Sequence, residues 1–193
     1  DFISNNLFSP ALIINESTSY PGTLRNHIKS RIEAKSTVKH EYSSSPERVD
    51  PGNKNWTLKN TPRLLSGLTE AATKNAFSFY SSFAENIVTV STPEVAEMAK
   101  LFENTFRQVN IALVNEMAII CNSFNLNVYE VLNAADTKPY GFMKFNPGPG
   151  VGGHCIPVDH TYLAYSAGIK GASARFIELA NTVNLDMPAY IIE

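Results

Sequence analysis

Thr92-Pro93-Glu94-Val95-Ala96-Glu97-Met98-Ala99-Lys100-Leu101-Phe102-Glu103-Asn104-Thr105-Phe106-Arg107 opens a run that reaches Ser123 with no Gly and no second Pro. Thr92 or Ser91 offers a side-chain oxygen to the free N–H groups of a first helical turn, and Pro93 falls where its missing donor costs nothing. The run therefore predicts one helix, about 46 Å long at 1.5 Å per residue. Val95, Leu101, Phe102, Phe106, Val109, Leu113, Met117 and Ile120 follow one another along it at helical spacings, which predicts a face built for burial. A helix longer than a small domain is wide leaves part of that face for a partner.

Working outward, the period changes on the N-terminal side. Ala11 to Asn15 is a short apolar run of the kind found in buried parallel strands, and the polar turn Glu16 to Thr23 follows it. Thr23 is expected to cap a helix from Leu24 to about Glu33. A strand near His40 to Ser43 comes next, then a loop from Ser44 to Arg63 carrying Pro46, Pro51, Gly52 and Pro62. A loop of that length is more often functional than idle. Leu64 to Gly67, a helix from Thr69 to Phe83, and Ile87 to Val90 complete a strand and helix alternation, so residues 1–91 read as α/β. Beyond the long helix, shorter helices are expected at Val128 to Ala135, Ile156 to Ser166 and Ala174 to Leu185, with a Gly/Pro-rich loop at Asn146 to Gly153. Residues 92–193 read as all-α.

The 193 residues carry 16 Lys+Arg against 18 Asp+Glu, a formal net charge of −2. Nucleic-acid and anionic-membrane surfaces need clustered excess cations, so neither partner is expected. Apolar runs such as Ala11 to Ile14 are far short of the roughly 20 residues that cross a bilayer. Asp1 to Asn6 has neither the charge nor the apolar core of a signal peptide. Two cysteines do not make a disulfide framework, and a reduced, cytoplasmic setting is expected. The chain starts at Asp1 rather than Met and stops in apolar Ala189-Tyr190-Ile191-Ile192-Glu193, so it is expected to be a piece of a longer polypeptide.

Pro147-Gly148-Pro149-Gly150-Val151-Gly152-Gly153-His154-Cys155-Ile156-Pro157-Val158-Asp159 is the most unusual stretch. Its glycines let backbone N–H groups approach a phosphate or a sugar ring. It also delivers Cys155 to a helix start, where free N–H groups and the dipole favour a thiolate; the other reading is a structural cysteine in a turn. His154 adjoins Cys155 and is poorly placed as its base, whereas Cys121, among Ala118, Ile119 and Ile120, reads as core. Lys100 and Asn104 are four apart and share a helix face, suited to an oxyanion or a hydroxyl or simply to solvent. Glu47, between Pro46 and Arg48, is a base or half of a surface ion pair. No metal site is expected.

Together with Glu16-Ser17-Thr18-Ser19-Tyr20-Pro21-Gly22-Thr23, Ser45-Pro46-Glu47-Arg48-Val49-Asp50-Pro51-Gly52-Asn53 and Asn60-Thr61-Pro62-Arg63, in this order, the motif around Lys100 and the one around Cys155 resemble the nucleotide-sugar 6-dehydrogenases of the UDP-glucose/GDP-mannose dehydrogenase family. The flavour of Tyr-Pro-Gly-Thr and Asp-Pro-Gly-Asn is closest to dehydrogenases of UDP-N-acetylglucosamine. The resemblance implies the last part of a Rossmann NAD-binding domain followed by an all-α middle domain on the long helix. It also implies NAD as cofactor, a UDP-sugar substrate, a homodimer through the long helix and a place in surface polysaccharide synthesis. It puts the nucleophile at Cys155, forming a thiohemiacetal and then a thioester. Lys100 and Asn104 would steady oxyanions, and Asp159 would orient a water or base. Glu47 would take part in proton transfer and hydrolysis, with Thr18 near the nicotinamide. Ser17 and Thr18 would lie against the cofactor, and Glu47, Arg48, Lys100, Asn104, Phe145, Asn146, Pro147, Gly148 and Gly152 against the substrate. His160 and Asn146 depart from the family pattern, which usually has Pro and an aromatic residue there.

Two other classes compete. A non-catalytic assembly module would keep the helical scaffold and lose the chemistry, yet Cys155, Lys100, Asn104, Asp159, Glu47 and Thr18 are all retained. A stand-alone cysteine hydrolase would need a His base that the sequence does not offer.

Overall fold

Leu12–Asn15 forms β1, and alternate side chains of this short strand serve opposite faces of a sheet: Ile13 packs on Leu24, Ile32 and Tyr42, while Leu12 and Ile14 pack on Leu65, Ala76 and Tyr80. A strand covered on both sides reads as a continuous apolar run, which is why its sequence does not alternate. The computed structural model describes residues 2–152 and 156–192. These divide into two compact units, residues 1–101 and 102–193.

In the first unit a short helix α1 (Phe2–Asn6) precedes β1. A π-helical turn, Leu24–Lys29, runs into α2 (Ser30–Glu33) and leads to β2 (Glu41–Ser44). β3 (Arg63–Gly67), α3 (Glu70–Tyr80) and β4 (Ile87–Thr89) follow. The strands lie in the order β1-β2-β3-β4. β1 and β2 are parallel, with Leu12 opposite Glu41, and β3 and β4 are parallel, with Arg63 opposite Ile87. Between the two pairs the sheet turns antiparallel, Ser43 facing Gly67 and Ser44 facing Ser66. Strand and helix alternation foretells α/β but not this reversal, which the long loop after β2 makes possible by returning the chain to the same edge. α3 is capped by Thr69, whose hydroxyl accepts from the Ala72 N–H at 3.0 Å. Gly67 lies under that turn: a Cβ there would stand 2.5 Å from the Thr73 nitrogen, so only glycine lets strand and helix approach this closely.

α4 spans Pro93–Ser123 as one helix. Asn125 ends it at φ 55°, with the Leu126 N–H donating back to the Cys121 carbonyl at 2.9 Å, a left-handed C-terminal stop. In the second unit it is joined by α5 (Val128–Asp136), α6 (Ile156–Ile169) and α7 (Arg175–Ile192). α7 runs past Leu185, where the sequence suggests a stop, and contains Pro188. Cys121 is buried, as its apolar neighbours predict. Among the described residues no helix is long and apolar enough to cross a membrane.

One sequence expectation needs correction. Thr23 makes no cap bond; its hydroxyl donates to the Tyr20 carbonyl at 2.6 Å. The cap comes instead from Glu97 of α4, whose carboxylate accepts from the N–H groups of Gly22 at 2.7 Å and Leu24 at 2.9 Å. Of the apolar stripe of α4, Leu101 is buried, while Phe102, Phe106, Leu113 and Ile120 are exposed in the single chain; the buried face combines Ala96, Leu101 and Ala112 with the polar Glu97, Asn104, Gln108 and Asn115.

Candidate functional site

β1 and β2 are parallel, so both release their chains at one edge, and the ladder continues past the strand ends: Ser45 N–H donates to the Asn15 carbonyl at 2.9 Å and Glu47 N–H to the Glu16 carbonyl at 3.0 Å. This brings Glu16 and Glu47 side by side. The antiparallel junction then sets the first residue of β3, Arg63, against them. Its guanidinium donates to Glu16 Oε1 at 2.9 Å and Glu47 Oε2 at 2.8 Å, and lies 4.5 Å over the Tyr80 ring. Tyr80 donates to Glu16 at 2.7 Å. Burial, with that bond, pushes the Tyr80 phenol up to about 12.

Glu47 is held from three sides, since its Oε1 also accepts from the N–H groups of Arg48 at 2.7 Å and Val49 at 2.8 Å. Partial burial pushes its carboxyl up, but the Val49 N–H and the Arg63 guanidinium outweigh it and hold the group below the usual glutamate range. Such a carboxylate stays ionised at neutral pH and serves better as a fixed acceptor than as a strong base. Arg48 donates to the Pro62 carbonyl at 2.7 Å, closing the long loop. Ser17 is exposed and Thr18 half-buried in the turn after β1, which the Asn15 amide shapes by donating to the Ser17 carbonyl and the Ser19 hydroxyl. Loops beyond the carboxyl ends of parallel strands are where α/β sheets bind dinucleotides, and the turn carrying Ser17 and Thr18 follows the carboxyl end of β1.

Lys100 is half-buried on α4. One turn on, Asn104 donates to the Asp159 carboxylate of α6, and both residues are buried. Of the glycine-rich loop, Phe145 sets its ring edge-on to Phe106 at 6.0 Å. Gly148 donates its N–H to Asn115 Oδ1 at 2.9 Å. Pro147 is half-buried, and Asn146 and Gly152 are exposed. Cys155 and His154 lie outside the described residues. The site residues thus form two clusters, one around Glu47 in the first unit and one around Asn104 and Asp159 in the second. Sequence reasoning missed Glu16, Arg63, Tyr80, Glu97, Asn115 and Asn184. The available signal was polar residues recurring at three, four and seven along α4. No group of three potential metal ligands occurs among the described residues.

Comparison with known proteins gives the family. Residues 1–84 match the UDP-glucose/GDP-mannose dehydrogenase family NAD binding domain, and residues 94–186 match the central domain of the same family. A UDP-N-acetyl-D-mannosamine dehydrogenase of Methanococcus maripaludis is 39% identical over 180 residues, 93% of this chain and 40% of that protein. An NDP-N-acetyl-D-galactosaminuronic acid dehydrogenase of Ralstonia nicotianae is 39% identical over 148 residues, 77% of this chain and 34% of that protein. The solved UDP-D-ManNAc dehydrogenase of Pyrococcus horikoshii superposes with a TM-score of 0.87 at 35% identity, over 98% of this chain and 45% of that one. The chain spans less than half the length of these relatives. With both domain models matched in order over most of its length, the chain belongs to the UDP-glucose/GDP-mannose dehydrogenase family.

Proposed function

We propose that the protein containing this chain oxidises the C6 alcohol of a UDP-N-acetylhexosamine to the carboxylate in two NAD-linked steps. The observation that carries this is the buried bond between Asn104 and Asp159. It ties the part of α4 bearing Lys100 to the first turn of α6, the helix that starts at the residue after Cys155. UDP-N-acetyl-D-mannosamine is the first candidate substrate, because relatives 33–40% identical over most of the chain carry that name. N-acetylglucosamine, which the motif flavour favours, is the comparison sugar.

In this scheme the C6 alcohol loses a proton and a hydride to become an aldehyde, and the Cys155 thiolate adds to its carbon. Loss of a second hydride from the thiohemiacetal restores the C=O bond as a thioester. Water then adds, the C–S bond breaks, and the thiolate leaves the uronate. NAD, when bound, accepts the hydride in each oxidation. Ser17 and Thr18 would hold its nicotinamide side. Lys100 and Asn104 place a cation and an amide where negative charge develops on oxygen. Asp159, fixed by Asn104, would orient a water or base, and Glu47, fixed by Arg63, would take part in proton transfer and hydrolysis. Arg48 and the segment 145–152, with Phe145, Asn146, Pro147, Gly148 and Gly152, lie against the UDP-sugar.

A second copy of the chain is the proposed partner, covering the apolar face of α4. A groove of about 830 Å³ lined by Phe102, Phe106, Val109, Leu163, Phe176 and Leu179 supports that contact. A reactive thiol needs a reducing compartment, so the cytoplasm is the proposed setting, with the uronate serving surface polysaccharide synthesis. The test is NADH formation by the full-length protein with UDP-N-acetylmannosamine, UDP-N-acetylglucosamine and other UDP- and GDP-sugars. The expected result is two NADH per sugar, abolished in Cys155→Ala. Full activity in that variant would remove the covalent route, and no NADH with any sugar would favour a non-catalytic dimer scaffold.

A further inference from the structure

We propose that Asn115 on α4 and Asn184 on α7 are positioning residues that set the height of the nucleotide-sugar loop, a role resting on the dehydrogenase reading above. Asn115 is fully buried and Asn184 nearly so. Asn115 Oδ1 accepts from the Gly148 N–H at 2.9 Å, its Nδ2 donates to Asn184 Oδ1 at 3.0 Å, and Asn184 Nδ2 donates to the Gln108 carbonyl at 3.1 Å. The relay has a direction. Flipping either amide would set donor against donor or acceptor against acceptor in a buried place, where an unmet group costs about 1–3 kcal/mol.

A second contact, two residues along the loop, is independent of the first. Pro188 stands four residues after Asn184 and has no N–H to offer that residue's carbonyl. Gly150 occupies the freed space: its φ is +113°, and a Cβ there would lie 2.8 Å from the Asn184 carbonyl oxygen. The loop therefore meets α7 at a carbonyl to which Pro188 offers no N–H, and only a glycine fits. Beside it a cavity of about 140 Å³ is lined by Gln108, Pro149, Gly150, Asn181, Asn184 and Pro188. Close packing does not seat the loop here, so these discrete contacts do. Phe145, edge-on to Phe106, fixes the start of the same segment.

The experiment uses the full-length protein and compares Asn115→Ala, Gly150→Ala and Asn115→Asp with wild type. The readouts are KM for each substrate and calorimetric binding of UDP-N-acetylmannosamine and UDP-N-acetylglucosamine. A displaced loop should lower kcat/KM for the sugar nucleotide on the order of 100-fold, raise its Kd in parallel, and leave KM for NAD within about twofold. Asn115→Asp keeps an oxygen for the Gly148 N–H but turns its second oxygen on Asn184 Oδ1, so it should recover only part of the sugar binding, a gain over Asn115→Ala that a loss of folded protein would not give. Gly150→Ala lies outside the helical core and keeps the test open if Asn115→Ala does not fold. Wild-type sugar binding in folded Asn115→Ala and Gly150→Ala overturns the clamp, as does a fall in kcat with both KM values unchanged. A wild-type protein that binds no UDP-sugar fails the dehydrogenase reading and takes the clamp with it. That outcome differs from one in which wild type and variants bind equally.

Discussion

The two faces of α4 invert the usual rule. Inward lie Glu97, Asn104 and Asn115, all but free of solvent; outward lie Phe102 and Leu113, 65% and 57% exposed. Each of the three inward groups has found a specific partner, the N–H groups of Gly22 and Leu24, the Asp159 carboxylate and the Gly148 N–H, whereas the Thr105 and Gln108 side chains of the same helix are buried without one among the described residues. Those partners are what hold the site's loops and helices in place. Covering Phe102 or Leu113 would contribute roughly 1.5–3 kcal/mol each. One helix thus uses buried polar groups for positioning and leaves Phe102 and Leu113 exposed.

The contrast can be broken most severely at Glu97. Glu97→Ala leaves two buried N–H groups without acceptors and should cost about 4 kcal/mol, read as a lowered urea midpoint with an unchanged slope. Asn104→Leu is next. It leaves the Asp159 carboxylate buried without its partner, which should cost about 3 kcal/mol and depress kcat as well. On the outward face, Phe102→Ser should change the stability of the single chain by less than about 0.5 kcal/mol. The same change should weaken self-association of the full-length protein in sedimentation; an unchanged oligomer would move the partner surface elsewhere.

The smallest effect is in pH, where Glu97 and Glu47 should move oppositely. Burial holds the Glu97 carboxyl above its usual range despite the Leu24 and Gly22 N–H groups. Its share of stability is complete below the unfolded glutamate value and fades as pH rises through the raised one. Glu47 is depressed, so its share is complete above the unfolded value and fades as pH falls through the lowered one. Urea midpoints against pH should flatten on the upper side in Glu97→Gln and on the acid side in Glu47→Gln.

Much of this frame was legible in the sequence. The strand at Ala11 to Asn15, the bounds of α4 at Pro93 and Ser123, and the core role of Cys121 all follow from local pattern. What escaped depends on partners distant along the chain. The Thr23 cap was a sound local inference defeated by Glu97, more than 70 residues away. The burial of Glu97, Asn104 and Asn115 on α4 escaped because periodicity weighs apolarity and cannot see that Asn115 will meet Gly148. Arg63 was quoted within a motif, yet its place between two carboxylates needs the antiparallel junction, which no spacing announces. Lys100, Asn104 and Asp159 were found through resemblance, and only the geometry joins Asn104 to Asp159.

Glu97 bears on how the chain divides into inheritable parts. A cut between Ser91 and Thr92, where composition changes, would strip the α/β unit of the carboxylate that closes its own π-helical turn. The compact unit that holds the Gly22 turn extends to Leu101. Recombination between relatives would therefore succeed only where the crossover leaves Glu97 and the Gly22 turn with the same parent, inside a helix rather than at the loop before it.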